Sequence, residues 1–262
     1  MKVDILTNYG EFCLVVKLQT ASPQRLRIIF KDAEHPNTIY TDRFKTVNGT
    51  LPIYINCPVS NKYGELIVYN EEIGNIPSKG DSTFMLPKPY MIPLEKRVDV
   101  VDFTDSALKS AISFFTRFSL NCGYLNTGVY KSPDNRYVIE YLPEIISSEP
   151  PHLPLNTSSR VDKFKGTIQV SQAKFDMMTV PARMVTLLHE YSHFFVNKDI
   201  ENEFEADLNA LVIYLALGYP RIDAINTFTT AFYGAATELN KERIDTIVKF
   251  IDDFDKSKIY VY

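Results

Sequence analysis

Several residue types and patterns are scarce or absent in this chain of 262 residues. It contains no tryptophan and only three cysteines, which are widely spaced and form no C-x-x-C pair. This pattern gives no sign of a disulfide framework and predicts reduced, mostly buried thiols in a reducing compartment. Basic runs and basic–aromatic strips are also absent, and the formal net charge is -4, so we expect no nucleic-acid partner.

Long apolar runs are absent as well. The longest stretch, Leu208–Tyr219, contains Asn209 and is too short to span a bilayer, so no membrane segment is predicted. The first residues, MKVDILTNYGEF, carry an acidic residue within their short apolar stretch and predict no signal peptide. We therefore expect a cytoplasmic protein, or a component of a particle that is assembled inside a cell.

The chain is 45% hydrophobic and 13% aromatic, which supports a packed globular core. Within residues 1–85, turn residues separate β-prone segments, which read FCLVVKL, RLRIIFK, LPIYINC and ELIVYN. Short strands at this spacing predict an N-terminal all-β sandwich. Residues 86–97 are predicted to form a proline-rich linker, because proline fixes φ and removes a backbone donor.

Residues 98–262 have a different pattern, mixed at first and helical afterwards. A helix is predicted over 105–120, and strands over 136–146 and 166–171, with a proline-rich loop over 149–159. After Pro181 the apolar residues recur at helical spacing, which predicts helices over 181–197, 203–217, 220–235 and 239–254. The predicted fold class of the whole chain is therefore α+β.

The segment HEYSH, from His189 to His193, is an H-E-x-x-H motif within a predicted helix. Residues four apart lie on one face of a helix, so the two imidazoles can bind one ion. Glu190 lies about 100° around the helix from His189, where it flanks the ion and does not bind it. That position suits a general base that takes a proton from water activated by the metal.

A third ligand is expected from EFEAD, which begins at Glu203 and opens the next predicted helix. Glu203 and Asp207 share one face of that helix, so Glu203 can bind the metal while Asp207 accepts the free N–H of a ligand histidine. Glu201 and Glu205 are interpreted as solvated charges near a helix N-terminus. The alternative is an acidic helical hairpin with two hydrogen-bonded histidines and no metal.

HEYSH followed by EFEAD resembles the gluzincin-type minimal zinc metallopeptidases, in which H-E-x-x-H is completed by E-x-x-x-D on a following helix. The resemblance implies a zincin domain over 98–262, Zn²⁺ as the cofactor, and peptide or protein substrates. It implies His189, His193 and Glu203 as ligands, Glu190 as general base and acid, and Asp207 behind a ligand histidine.

The resemblance also implies a sheet whose edge strand, next before the motif helix, pairs with extended substrate. The residues at that place in chain order are Gly166, Thr167, Ile168, Gln169, Val170 and Ser171. The residue that stabilises the oxyanion stays open: Tyr219, Arg221 and Tyr233 are available downstream. Tyr191, within the motif, is interpreted as a packing residue, and His152 as a surface histidine.

A second resemblance concerns the β-rich half of the chain. DRFKTVNGTLPIYINCPVS, which spans residues 42–60, resembles β-modules in virion proteins of crAss-like bacteriophages. It implies a homo-oligomeric neck or tail ring component, with other virion proteins as partners and a structural or vestigial zincin domain. Peptide hydrolysis and virion assembly therefore stand as alternative functions.

Overall fold

The computed structural model describes residues 1–74, 82–233 and 237–256. The chain divides into two compact units, Met1–Glu95 and Lys96–Tyr262, and the break falls within the segment predicted as a linker. The first unit is built of strands and the second of strands and helices, so the predicted α+β class is confirmed. Among the described residues, no helix has the length and apolar character needed to cross a bilayer.

The first unit is a five-stranded antiparallel sheet. Its strands are β1 (Lys2–Leu6), β2 (Phe12–Asp32), β3 (Ile39–Cys57), β4 (Tyr63–Asn70) and β5 (Tyr90–Ile92). The order is β1-β4-β2-β3, and β5 pairs with the first part of β2. The two strands predicted around 12–18 and 25–31 are one strand, β2, whose register with β3 shifts between Thr20 and Gln24. The predicted turn there is thus an irregularity within a long strand.

The long β2 strand folds back on itself at this irregularity. The rings of Phe12 and Phe30 lie 6.3 Å apart, although both belong to β2. A straight strand would separate these two residues by roughly 60 Å, at about 3.3 Å per residue. Leu14, Val16 and Ile28, on the two halves of the strand, are buried and contribute to the core of this unit.

The segment predicted as a linker is attached to the first sheet. Met85 forms an isolated bridge with Gln19, and Tyr90–Ile92 pairs with residues 13–15 of β2. Part of the segment predicted as a linker is therefore an extended strand of the first sheet. Pro89 and Pro93 flank the strand, and because proline cannot donate to a ladder, they limit it to three residues at the sheet edge.

The second unit begins with a four-stranded sheet. Its strands are β6 (Gly128–Lys131), β7 (Val138–Leu142), β8 (Ser159–Val161) and β9 (Ile168–Ser171). The order is β6-β7-β9-β8, in which β7 and β9 are parallel and the two outer strands antiparallel to their neighbours. The helices are α1 (Ser106–Asn121), α2 (Gln172–Phe175), α3 (Val180–Phe195), α4 (Glu203–Ala216), α5 (Arg221–Tyr233) and α6 (Glu238–Lys256).

Polar caps set the beginnings of the helices that matter for the site. Thr179 accepts a hydrogen bond from the backbone N–H of Ala182, and Pro181 lies in the first turn of α3. Asn202 accepts from the backbone N–H of Glu205 and so begins α4 at Glu203. The five longer helices all lie close to their predicted ranges, because capping and periodicity are both local features of the sequence.

A fully buried arginine fixes α3 within the unit. Arg183 donates from Nε to the carbonyl of Phe175 (2.9 Å) and from Nη1 to the carbonyl of Ser119 (3.0 Å), which ties α3 to α2 and α1. One face of α3 also buries Leu187 and Leu188 in the core. The helix that carries the motif is therefore held firmly on more than one side.

Candidate metal centre

Three potential metal ligands converge where α3 meets the start of α4. They are His189, His193 and Glu203, and one donor atom from each lies within 4.8 Å of the others. The Nε2 atoms of the two histidines are 3.1 Å apart. Glu203 Oε2 lies 3.5 Å from Nε2 of His189, and Oε1 lies 3.5 Å from Nε2 of His193. The structure thus brings together the three residues predicted as ligands.

These separations fit a tetrahedral zinc ion. Zinc binds histidine nitrogen and carboxylate oxygen at about 2.0–2.2 Å, so two donors of one tetrahedron lie roughly 3.3 Å apart. The two Nε2 atoms are 3.1 Å apart, and each lies 3.5 Å from a different oxygen of Glu203, so the spacing of the group is close to that value. Two imidazoles and one carboxylate are also a donor set that zinc takes in catalytic sites. The residues present therefore suit the ion that the sequence predicts.

Hydrogen bonds in the turn between α3 and α4 hold Glu203, the third predicted ligand, near the two histidines. The backbone N–H of Asn197 donates to the carbonyl of Ser192, and its side-chain amide donates to the carbonyl of Asn202. Glu205 accepts from the backbone N–H of Lys198, while Glu201 pairs with Lys163. Glu201 and Glu205, which were predicted to be solvated charges, therefore each have a specific partner.

The second nitrogen of each histidine faces an oxygen atom. His193 Nδ1 lies 2.8 Å from the carbonyl oxygen of Ile200, and His189 Nδ1 lies 2.9 Å from Asp207 Oδ1. The second contact is close but not aligned as a straight hydrogen bond. Both contacts favour the tautomer with hydrogen on Nδ1, which would leave Nε2 available to a metal ion. Asp207 thus lies where the sequence predicts it.

Arg243, on α6, belongs to the site although the sequence motifs did not predict it. It donates from Nε to Asp207 Oδ2 (2.8 Å) and from Nη2 to Asp207 Oδ1 (3.0 Å), and Nη2 lies 2.9 Å from Glu203 Oε2. Its side chain is only 8% exposed. One signal could have revealed it: Arg243 shares an apolar helical face with Ile247 and Ile251, and a charge in such a stripe needs buried partners.

The charged groups of the cluster strongly shift the pKa values of His189 and Glu203. Burial lowers the pKa of His189, but contacts with Asp207 and Glu203 outweigh burial and raise it to about 10. Burial raises the pKa of Glu203, but its contacts with His189 and His193 outweigh burial and hold that pKa well below its usual value. The carboxylates therefore favour positive charge at the imidazole of His189.

Glu190, the predicted general base, is buried beside the ligands and faces the small sheet. Its Oε1 atom accepts a hydrogen bond of 2.8 Å from Oγ of Ser159, the first residue of β8. Both side chains are nearly inaccessible, at 8% and 4% exposed. The structure therefore shows a fixed orientation for Glu190 and gives Ser159 a place in the site that the sequence did not predict.

The segment predicted as the substrate-binding edge strand, residues 166–171, does not lie at an edge of the sheet. Ile168–Ser171 forms β9, which pairs with β7 on one side and β8 on the other, so it has no open edge. Gly166 and Thr167 precede it in the turn from β8, where Gly166 has φ +66 and a Cβ would lie 2.8 Å from the ring of Phe194. The edge strand beside α3 is β8, which lies within and just after the segment predicted as a loop.

The other candidates have ordinary surroundings. Tyr191 is 5% exposed and packs against Phe115, Tyr137 and Phe195, in agreement with its interpretation as a packing residue. Tyr219 is buried and stacks on Tyr214. The exposed His152 contacts the carbonyl of Ser147. The side chain of Tyr233 lies outside the described part of the chain.

Comparisons with known proteins add no relative to these observations. No protein-family model, no curated protein and no solved structure matches the chain. The geometry of the His189, His193 and Glu203 cluster is therefore the basis for a proposed function.

Proposed function

We propose that the second unit binds one zinc ion and hydrolyses peptide bonds as a gluzincin-type metallopeptidase. The observation that carries this proposal is the convergence of three donor residues within 4.8 Å of one another, with Glu190 alongside. His189, His193 and Glu203 are the proposed ligands, and Asp207 sets the orientation of His189. The zincin fold and the zinc cofactor are parts of the same proposal.

A zinc ion at this position would lower the pKa of a bound water to about 7 and polarise a carbonyl group. Glu190 supplies the proton transfer. Its Oε1 atom already accepts a hydrogen bond from Ser159, so we assign to Oε2 the transfer of a proton from the attacking water to the leaving amine. The burial of Glu190 keeps bulk water from competing for that proton.

The open edge of β8 is the proposed substrate-binding strand. Within the described residues, β8 pairs only with β9, and its first residue holds the proposed base. A peptide that adds to this edge would receive backbone hydrogen bonds close to Glu190. Residues Ser159 to Val161 therefore take the substrate-binding role that the sequence predicted for residues 166–171.

We also propose that the first unit is a β-sandwich. The fold-back of β2, which brings Phe12 onto Phe30, sets two parts of one sheet face to face around a shared core. This proposal concerns the fold alone and assigns the unit no chemistry.

The test of the proposed function is the variant Glu190→Gln. It should keep one zinc per chain and lose hydrolysis of a broad peptide library by about 100- to 10,000-fold, the usual contribution of a general base. Glu238→Gln, at a 95% exposed side chain on α6, is the matched control and should behave as wild type. Wild-type protein that binds zinc and cleaves no peptide would favour a structural metal site instead.

A further inference from the structure

Arg243 joins the proposed ligand Glu203 to Asp207 from a third helix. Its guanidinium meets both oxygens of Asp207 and one oxygen of Glu203, at 2.8 to 3.0 Å. Asp207 is 2% exposed, so its charge has little contact with water. A planar guanidinium suits this task, because its donors form a rigid fork that a lysine lacks.

The charge of the site balances only when Arg243 is included. Glu190, Glu203 and Asp207 bring three negative charges into a small volume, in which Glu190 and Asp207 are buried and the side chain of Glu203 is 41% exposed. A divalent ion supplies two positive charges, and Arg243 supplies the third. Buried charges are stable when each is paired and hydrogen-bonded, so the arginine completes a neutral set.

We propose that Arg243 is a positioning residue that holds Glu203 and Asp207 ready for the metal and thereby couples the docking of α6 to zinc binding. This inference rests on the proposed zinc site. With Oε2 of Glu203 held by Arg243, Oε1 is the oxygen left for the metal. With both oxygens of Asp207 held, the carboxylate cannot rotate away from His189.

A simple charge effect predicts the opposite result. If Arg243 acted only through its positive charge, its removal would make the site more negative and strengthen cation binding. If it positions the ligands, its removal leaves two carboxylates without their partner and free to turn away. Loss of a residue that orients metal ligands typically weakens metal affinity by 10- to 100-fold. Weaker zinc binding in the variants therefore indicates that Arg243 positions the ligands, whereas stronger zinc binding indicates an effect of its charge alone.

The experiment compares zinc dissociation constants of the full-length wild type and three variants, measured by competition with a chromogenic chelator. Arg243→Met removes both the positive charge and the planar set of guanidinium N–H donors. Arg243→Lys keeps the charge and removes that set of donors. Lys249→Met removes an exposed charge from the same helix and is the control. We expect both Arg243 variants to bind zinc about 10- to 100-fold more weakly, and Lys249→Met to stay within about two-fold of wild type.

A second measurement tests the coupling and does not depend on activity. Zinc should slow amide hydrogen exchange in both α4 and α6 of the wild type, since Arg243 links them. In Arg243→Lys the zinc-dependent slowing should remain in α4 and disappear from α6. The exchange measurement on Arg243→Lys tests the coupling even if Arg243→Met fails to fold.

Two outcomes would overturn the inference. One is an Arg243 variant that binds zinc as tightly as wild type or more tightly, and the other is zinc-dependent protection of α6 that survives in Arg243→Lys. Wild-type protein that binds zinc without hydrolysing peptides would overturn the proposed function and leave this comparison intact. Wild-type protein that binds no metal would overturn both.

Discussion

A single serine outside the motif fixes the orientation of the Glu190 carboxylate. Ser159 lies 31 positions before Glu190 in the chain and donates to its Oε1 atom within a buried contact. A carboxylate on a flexible side chain has several rotamers, and a proton-transfer group works best in one of them. The hydrogen bond therefore favours one rotamer of Glu190 and leaves Oε2 for the proton transfer that we propose.

The variant Ser159→Ala should reduce kcat by about tenfold, which corresponds to about 1.4 kcal/mol of barrier and to the net contribution of one hydrogen bond. Zinc affinity should be unchanged, because Ser159 contacts the base and not a ligand. Steady-state kinetics and zinc titration of the same preparation measure both quantities. Ser158→Ala is the neighbouring control, and equal losses of kcat in the two variants would contradict the role of Ser159.

Several residues of the site could be predicted from the sequence, because their relation is local. His189 and His193 are one helical turn apart, and a short turn connects them to Glu203 and Asp207. Arg243 could not be placed in the same way, since it follows Asp207 by 36 positions and reaches it through the packing of α6. A motif fixes spacing within an element, whereas contacts between distant elements depend on tertiary packing.

At the scale of elements, the sequence predicted β9 as the edge strand, whereas β8 lies at the edge of the sheet. The compositions of the two strands explain the difference. GTIQVS is rich in β-branched residues, and a strand of this composition is stable in the interior of a sheet, where both edges are paired. The true edge strand, Ser159–Val161, is short and carries Arg160 beside a proline-rich loop. Short, polar edge strands protect a sheet from aggregation, and the same features hide them from sequence patterns.

The turn between β6 and β7 is tied to α1 through Asp134. Its carboxylate accepts hydrogen bonds from Ser132 and Ser110, at 2.6 and 2.7 Å. These bonds lower the pKa of Asp134 to about 2, with the bond from Ser132 contributing most. A carboxylate whose pKa is lowered by folding stabilises the protein above its unfolded pKa, near 3.9, and loses that contribution as the pH falls to 2.

The variant Asp134→Asn should therefore melt at a lower temperature than wild type at pH 5, and the difference should shrink as the pH falls from 4 to 2. Thermal unfolding followed by circular dichroism across this range measures the difference. Asp252→Asn, an exposed position on α6, is the control. A difference that stays constant or grows toward pH 2 would show that Asp134 does not make this contribution.

At the scale of the whole molecule, the chain joins two units with different compositions. The change from strand-forming to helix-forming patterns is visible in the sequence, and the break between Glu95 and Lys96 falls in the proline-rich segment. The attachment of that segment to β2 was not predicted, because a three-residue edge strand leaves no periodic pattern. The role of the first unit in a virion ring stays a prediction, which electron microscopy of the purified protein can test.

Zinc binding by the second unit is the central property of the proposed function. Native mass spectrometry of the full chain, supplied with excess Zn²⁺ and then freed of loosely bound metal, should show one zinc ion per chain. His189→Ala should lose that ion, and His35→Ala, in the first unit, should keep it. A wild-type chain that carries no zinc under these conditions, or a His189→Ala chain that carries as much as wild type, would contradict the proposed site.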